Sequence, residues 1–148
     1  MNVHIDSFTE VFLGDGAFVP TVADAVVGPS RIAGRGLFTS RPRKAGELLA
    51  ELDGQLVEWE RFPQVLEALE WNAVTPELLL VRPLRTSCGL INHSSDPNVV
   101  IDPDGRHMRC GRVVELGEEF TMDYFAQPVP EAYLEMPEAR RLRGDLPR

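Results

Sequence analysis

The chain has 148 residues, 43% of them apolar and 26% charged, which is enough for one packed core and disfavours a disordered, collagen-like or coiled-coil chain. Fifteen basic residues against 23 acidic ones give a net charge of −8, which argues against a nucleic-acid partner, dependent on clustered Lys and Arg, and favours a basic one. No apolar run approaches the roughly 20 residues that cross a bilayer, so no membrane partner is expected. Residues 1–7 carry neither the cationic flank nor the apolar stretch of a secretory leader, so the chain is expected in the cytoplasm.

In chain order, residues 1–24 read as an N-terminal extension that packs on the domain or leads into it. Beyond them, Gly and Pro punctuate the chain closely, which leaves short runs of the length of strands. Gly34-Arg35-Gly36 opens an extended segment through Leu37, Phe38 and Thr39. The two glycines suit either a plain tight turn or a close approach of the backbone to another molecule. A dinucleotide fingerprint is disfavoured, because position 39 is Thr where a third Gly is needed. Residues 48–52 and 55–58 flank Asp53-Gly54 and predict a hairpin. Phe62, Val65, Leu66 and Leu69 follow helical spacing with Pro63 suited to a first turn, which predicts a helix over about residues 63–72. Residues 99–101 and 107–110 predict a second hairpin around Asp102-Pro103-Asp104-Gly105. After the break at Pro128 and Pro130, residues 131–142 predict a second helix with Tyr133, Leu134 and Met136 on its apolar side.

Three groups of residues could carry chemistry. Asn92-His93-Ser94-Ser95-Asp96-Pro97-Asn98 is polar almost throughout; such a loop either caps its own backbone or holds a heteroaromatic ring by its edge. Cys88, His93, His107 and Cys110 form Cys-x4-His followed by His-x2-Cys, near the spacing of a small zinc site, but the two cysteines fit equally well as buried thiols on core-facing strands. Gly117-Glu118-Glu119-Phe120-Thr121-Met122-Asp123-Tyr124-Phe125 alternates like a strand. It either faces a core or, through its three carboxylates, draws a cation to a cleft.

Together, the order of these segments resembles the SET domain, the S-adenosylmethionine-dependent protein lysine methyltransferase family. Residues 27–40, containing Gly34-Arg35-Gly36-Leu37-Phe38, look like its opening motif. Leu90-Ile91-Asn92-His93-Ser94-Ser95-Asp96-Pro97-Asn98 resembles its Asn-His-Ser-Cys-x-Pro-Asn signature, and Gly117-Glu118-Glu119-Phe120-Thr121-Met122-Asp123-Tyr124 its Gly-Glu-Glu-Leu-Thr-x-Asp-Tyr motif. The resemblance covers residues 25–125. It implies a mainly β fold of several small sheets, one or two short helices and a pseudoknot in which the last two motifs pass through one another. It also implies a cofactor, S-adenosylmethionine, held by Ala33, Gly34, Arg35, Gly36, Asn92 and His93. Tyr124 is then the active-site tyrosine, Met122 and Phe125 belong to the substrate channel, and no metal is involved.

The departures bear on function. Ser95 stands where the family usually has Cys, and Met122 where an aromatic residue helps set how many methyl groups are added. Cysteine clusters do not flank the domain, so residues 126–148 are left to complete the channel. The expected activity is methyl transfer to the ε-amine of lysine in a basic, histone-like or ribosomal protein. A catalytically silent interaction module and a zinc-stabilised binding domain are the alternatives.

Overall fold

Closely spaced Gly and Pro leave no segment long enough for an extended helical core, and strands dominate the fold. The structure, a computed structural model, describes residues 5–144. In chain order the elements are helix α1 (Ile5–Leu13), strands β1 (Ala25–Pro29), β2 (Arg35–Thr39), β3 (Leu48–Glu51) and β4 (Gln55–Glu58), helix α2 (Val65–Ala68), strands β5 (Glu70–Ala73), β6 (Leu78–Arg82), β7 (Asn92–His93), β8 (Val99–Ile101), β9 (His107–Cys110) and β10 (Thr121–Met122), and helices α3 (Glu131–Leu134) and α4 (Pro137–Leu142). The strands form three sheets: the hairpin β1-β2, the five-stranded β3-β9-β8-β10-β7 and the three-stranded β4-β6-β5. The mainly β architecture of several small sheets is thus the observed one.

One of the two predicted hairpins forms. β8 and β9 pair antiparallel, Val99 opposite Cys110 and Ile101 opposite Met108, and Gly105 closes the turn with φ 71° and its N–H on the Asp102 carbonyl. The hairpin around Asp53-Gly54 does not form. Its first arm, β3, pairs with β9, and its second, β4, pairs with β6 in another sheet. Gly54 adopts φ 142° as the chain passes between sheets, and a Cβ there would lie 2.5 Å from the Val81 carbonyl oxygen. The local signal records that the chain bends; burial decides the pairing, because Leu49 and Ala50 of β3 join the main core cluster.

The predicted helix over 63–72 shrinks to the four residues of α2. Leu69 turns extended, and residues 70–73 become β5 instead. Tertiary contacts override the helical period. The Glu70 carboxylate accepts from Arg82 Nε, the Thr86 N–H and the Thr86 hydroxyl, while Trp71 packs edge-on to Tyr133 at 5.1 Å. The predicted helix over 131–142 is two helices broken at Pro137. That proline occupies a first-turn position of α4 and holds Met136 extended, at ψ 145°.

Two apolar clusters result. The larger centres on Leu37, Met108, Val114 and Phe120, and the smaller on Trp71, Leu79, Val81 and Tyr133. Arg43 anchors the first sheet to the larger cluster. Its guanidinium donates to the carbonyls of Ala23 and Asp24 and to Thr39 Oγ1, and lies 5.5 Å from the Phe120 ring centroid. Helix α1, for which the sequence reading named no element, is tied down by Thr9, whose hydroxyl accepts from the Arg85 N–H at 2.8 Å. Gly14, at φ 103°, ends that helix in the left-handed conformation that favours glycine.

Candidate active site

The site grows from one topological feature. β10 runs parallel to both β7 and β8 and lies between them, with Thr121 opposite Asn92 and Met122 opposite both His93 and Val99. Residues 94–98, which join β7 to β8, therefore carry the chain past β10, and the two motif segments interlock as a pseudoknot. The loop is sewn to the strand it passes. The Ser94 N–H donates to the Met122 carbonyl, and Asn98 Oδ1 accepts from the Thr121 N–H at 2.8 Å while its Nδ2 donates to the Glu119 carbonyl at 2.8 Å. Asn98 is 1% exposed, and its amide stands in for a strand partner the loop lacks.

Asn92 links the crossing to the glycine loop. Its Nδ2 lies within 3.1 Å of the Ser30 hydroxyl, the Ala33 and Arg35 carbonyls and Glu119 Oε2. An amide nitrogen has two hydrogens, so four acceptors exceed what it can supply. Gly36 makes this convergence possible: a Cβ there would fall 2.3 Å from the Glu119 carboxylate and 3.2 Å from Asn92 Nδ2. Ser30 donates its hydroxyl to the same carboxylate at 2.8 Å.

Tyr124 follows the crossing, in a short 3-10 turn capped by Asp123, whose Oδ1 accepts from the Phe125 N–H. Both ends of Tyr124 are fixed. Its N–H donates to His93 Nδ1 at 3.1 Å, which leaves the ring proton of neutral His93 on Nε2, and its hydroxyl donates to the Ile91 carbonyl at 2.5 Å. Burial pushes its phenol well above the ordinary value of 10.

Two pockets share Asp123 of this turn, and Tyr124 lines neither of them. The larger, about 620 Å3, is lined by Arg31, Ile32, His93, Phe125, Leu142 and Arg143, among others. The smaller, about 170 Å3, is lined by Pro97, Val99, Ile101, Met122, Asp123 and Gln127, among others. Phe125, assigned to the substrate channel from the sequence, lines the larger pocket with His93, the two rings meeting edge-on at 5.1 Å. Met122 lines the smaller one.

The structure brings Ala33, Arg35, Gly36 and Asn92 together, and His93, Phe125 and Tyr124 into one ring cluster. Gly34 holds the turn, at φ 43°, with its carbonyl accepting from the Ser30 N–H. Sequence reasoning passed over Ser30, Arg31 and Ile32, although they stand in the quoted opening motif, and over Leu142 and Arg143, for which no sequence signal exists. The carboxylates read as a cationic lure divide. Glu118 is engaged with Asn98 and Arg112, and Glu119 with Ser30 and Asn92, whereas Asp123 lines both pockets.

The four zinc candidates do not converge. His93 Nδ1 accepts from Tyr124, His107 Nδ1 meets Asp104, and Cys88 is a buried thiol that desolvation pushes up to about 12. Among the described residues, only Asp102, Asp104 and His107 bring three such donor atoms close together.

The SET domain family model matches residues 34–125 of the chain, the stretch that contains the glycine loop and both crossing segments. The chain belongs to the SET domain family. No curated protein matches it. Solved structures with a similar fold include an active polycomb repressive complex 2 in the stimulated state, at 18% identity and TM-score 0.53 over 68% of this chain and 15% of that one. The same complex in the basal state matches at 20% identity and TM-score 0.54, over 68% of this chain and 15% of that one. A Chaetomium thermophilum polycomb repressive complex 2 matches at 22% identity and TM-score 0.53, over 72% of this chain and 16% of that one. This SET chain thus spans about 15% of the length of the chains in the first two. The likeness is one of fold.

Proposed function

We propose that this SET domain transfers methyl groups from S-adenosylmethionine to the ε-amine of lysine in a protein. The observation that carries the reading is Tyr124: a buried phenol, fixed at its backbone and its hydroxyl, one residue beyond the aspartate that two separate pockets share. One pocket for a methyl donor and one for an acceptor, sharing the residue next to a fixed hydroxyl, is what a two-substrate transfer needs.

The donor fits the larger pocket on chemical grounds. The surplus of acceptors around Asn92 Nδ2, which converge because position 36 lacks a Cβ, suits an ammonium group. In that pocket, Ile32 and the rings of His93 and Phe125 give apolar faces for an adenine, and Arg31 and Arg143 give cations for a carboxylate. When bound, S-adenosylmethionine supplies an electrophilic methyl group.

The chain's own residues supply the rest. A lysine with an ordinary pKa of about 10.4 must lose its proton before it attacks, which at pH 7 costs about 4.6 kcal/mol. The apolar walls of the smaller pocket favour that loss by stripping water from the ammonium. Because the Tyr124 proton is committed to the Ile91 carbonyl, the phenolic oxygen offers its lone pairs to an amine N–H and orients the nitrogen. Burial holds that phenol protonated through neutral pH, so Tyr124 orients the amine and does not serve as the base. Asp123 and the net charge of −8 favour a basic acceptor protein.

The test is transfer of label from methyl-labelled S-adenosylmethionine to a peptide pool with one central lysine between randomised flanks, read by mass spectrometry. Modified lysine in the pool supports the reading. Cofactor binding without any transfer to the pool or to basic proteins replaces it with a silent interaction module.

A further inference from the structure

One residue that lines the smaller pocket carries a buried donor with no partner. Gln127 lines it and is 9% exposed, and its Nε2 has no hydrogen-bond partner. The same side chain is not idle: its Oε1 accepts from the Ala73 N–H at 3.0 Å. Ala73 belongs to β5, whose one pairing partner is β6, so the Gln127 amide occupies the open edge of the β4-β6-β5 sheet as a short strand would. Oε1 accepts from the sheet, and Nε2 of the same amide is a buried donor without a partner. A buried donor left this way is costly, and such groups mark places where a missing partner arrives.

We propose that Gln127 is a substrate-positioning residue: its Nε2 donates to a main-chain carbonyl of the acceptor peptide and sets the depth at which a lysine enters beside Met122. This deepens, and rests on, the reading of the smaller pocket as the acceptor side. The pocket's dimensions agree with it. At about 170 Å3 it has room for about five or six waters, the scale of a side chain and not of a larger ligand. The walls from Pro97, Val99, Ile101 and Met122 are apolar, and the polar groups of Asp123 and Gln127 are those left to meet an amine and a peptide group. A bound peptide thereby gains a hydrogen bond to the sheet edge through the Gln127 amide, an indirect form of strand addition.

The test uses the full chain with S-adenosylhomocysteine, a fluorescent peptide pool with one central lysine, and a matching pool with norleucine at that position. Wild type is expected to bind both pools. Gln127→Glu keeps the acceptor for Ala73 and loses the donor, and is expected to bind at least tenfold more weakly at pH 9. Burial raises a carboxyl above its ordinary pKa of about 4.3, so binding is expected to recover as the pH falls from 9 towards 5, where the protonated carboxyl donates again; wild type is expected to change less than threefold over that range. Gln127→Met is expected to lose binding at both ends of that range. Cofactor affinity and the far-ultraviolet spectrum are expected to stay at wild-type values in both variants. Peptide binding by Gln127→Glu equal to wild type at pH 9 overturns the assignment and means that a resident water satisfies Nε2. Failure of wild type to bind either pool overturns it as well. Wild type that binds the pools but transfers no methyl group overturns the proposed function and leaves Gln127 as the peptide-holding residue.

Discussion

At the crossing of β7, β8 and β10, the side chains of Asn92 and Asn98 are bonded to the segments they cross. In the β4-β6-β5 sheet, the buried pair of Glu70 and Arg82 leaves Arg82 Nη2 without a partner. The two regions also differ in their cavities. A cavity of about 800 Å3 borders that sheet and is walled by Phe62, Val65, Leu69 and Val81, with Asp53 its one titratable residue. The smaller pockets at the crossing carry His93, Asp123, Arg31 and Arg143. Cavity size alone does not mark the site; the ionisable side chains gather where several chain segments exchange hydrogen bonds. The sheet is a support, and the crossing carries the candidate site.

If that division is right, the largest loss of stability comes from the support. Glu70→Ala removes the carboxylate that faces Arg82 and Thr86 and leaves a buried guanidinium uncompensated, which is expected to cost roughly 3–5 kcal/mol in urea unfolding. A loss below about 1 kcal/mol would mean that the sheet does not depend on this pair.

Next in size is Tyr124→Phe, which keeps the ring and removes the hydroxyl. Turnover is expected to fall by roughly 10²–10³, comparable to removing one preorganised polar contact elsewhere, with cofactor affinity retained. Turnover within threefold of wild type would return Tyr124 to a purely structural place in the core. The same phenol has a pH signature. Its folded pKa is raised by burial, as is that of Tyr133, so the folded state retains protons that the unfolded chain sheds. Stability is fully present below about pH 10 and is expected to fall as pH rises beyond it. Denaturation midpoints from pH 8 to 11 measure this.

Asn92→Ala is expected to weaken S-adenosylmethionine about tenfold, or about 1.4 kcal/mol, by freeing the glycine loop and Glu119 from the crossing. Calorimetric titration decides it; an unchanged Kd would detach the loop from cofactor binding. The smallest effect belongs to Asp123→Asn, a carboxylate with 29% of its side chain exposed. It is expected to lower kcat/KM for a basic peptide severalfold and to flatten its dependence on salt between about 20 and 300 mM. Equal salt slopes would show that shape alone selects the acceptor.

Much of the crossing was legible in the residues. Asn92, His93, Asn98, Glu119 and Tyr124 stand in motifs whose order resembles one family, and those motifs hydrogen-bond to one another in the structure. The hairpin of β8 and β9 was legible for a different reason: its turn and both arms are local, so short-range chemistry sets the register. Distant pairing was not. Asp53-Gly54 carries the same kind of turn signal, yet its arms enter different sheets, because the partners β9 and β6 come from later in the chain and win by burial. The helical spacing through Leu69 likewise lost to a strand once Glu70 and Trp71 found Arg82, Thr86 and Tyr133. Leu142 and Arg143 reach the larger pocket only because Pro137 breaks the last helix in two, and the unpaired amide of Gln127 has meaning only beside β5. The sequence by itself determined where the chain can turn and which residue types the site contains. Tertiary structure decided which strands pair, which polar groups are saturated and which are left for a ligand, because each depends on contacts between residues far apart in the chain.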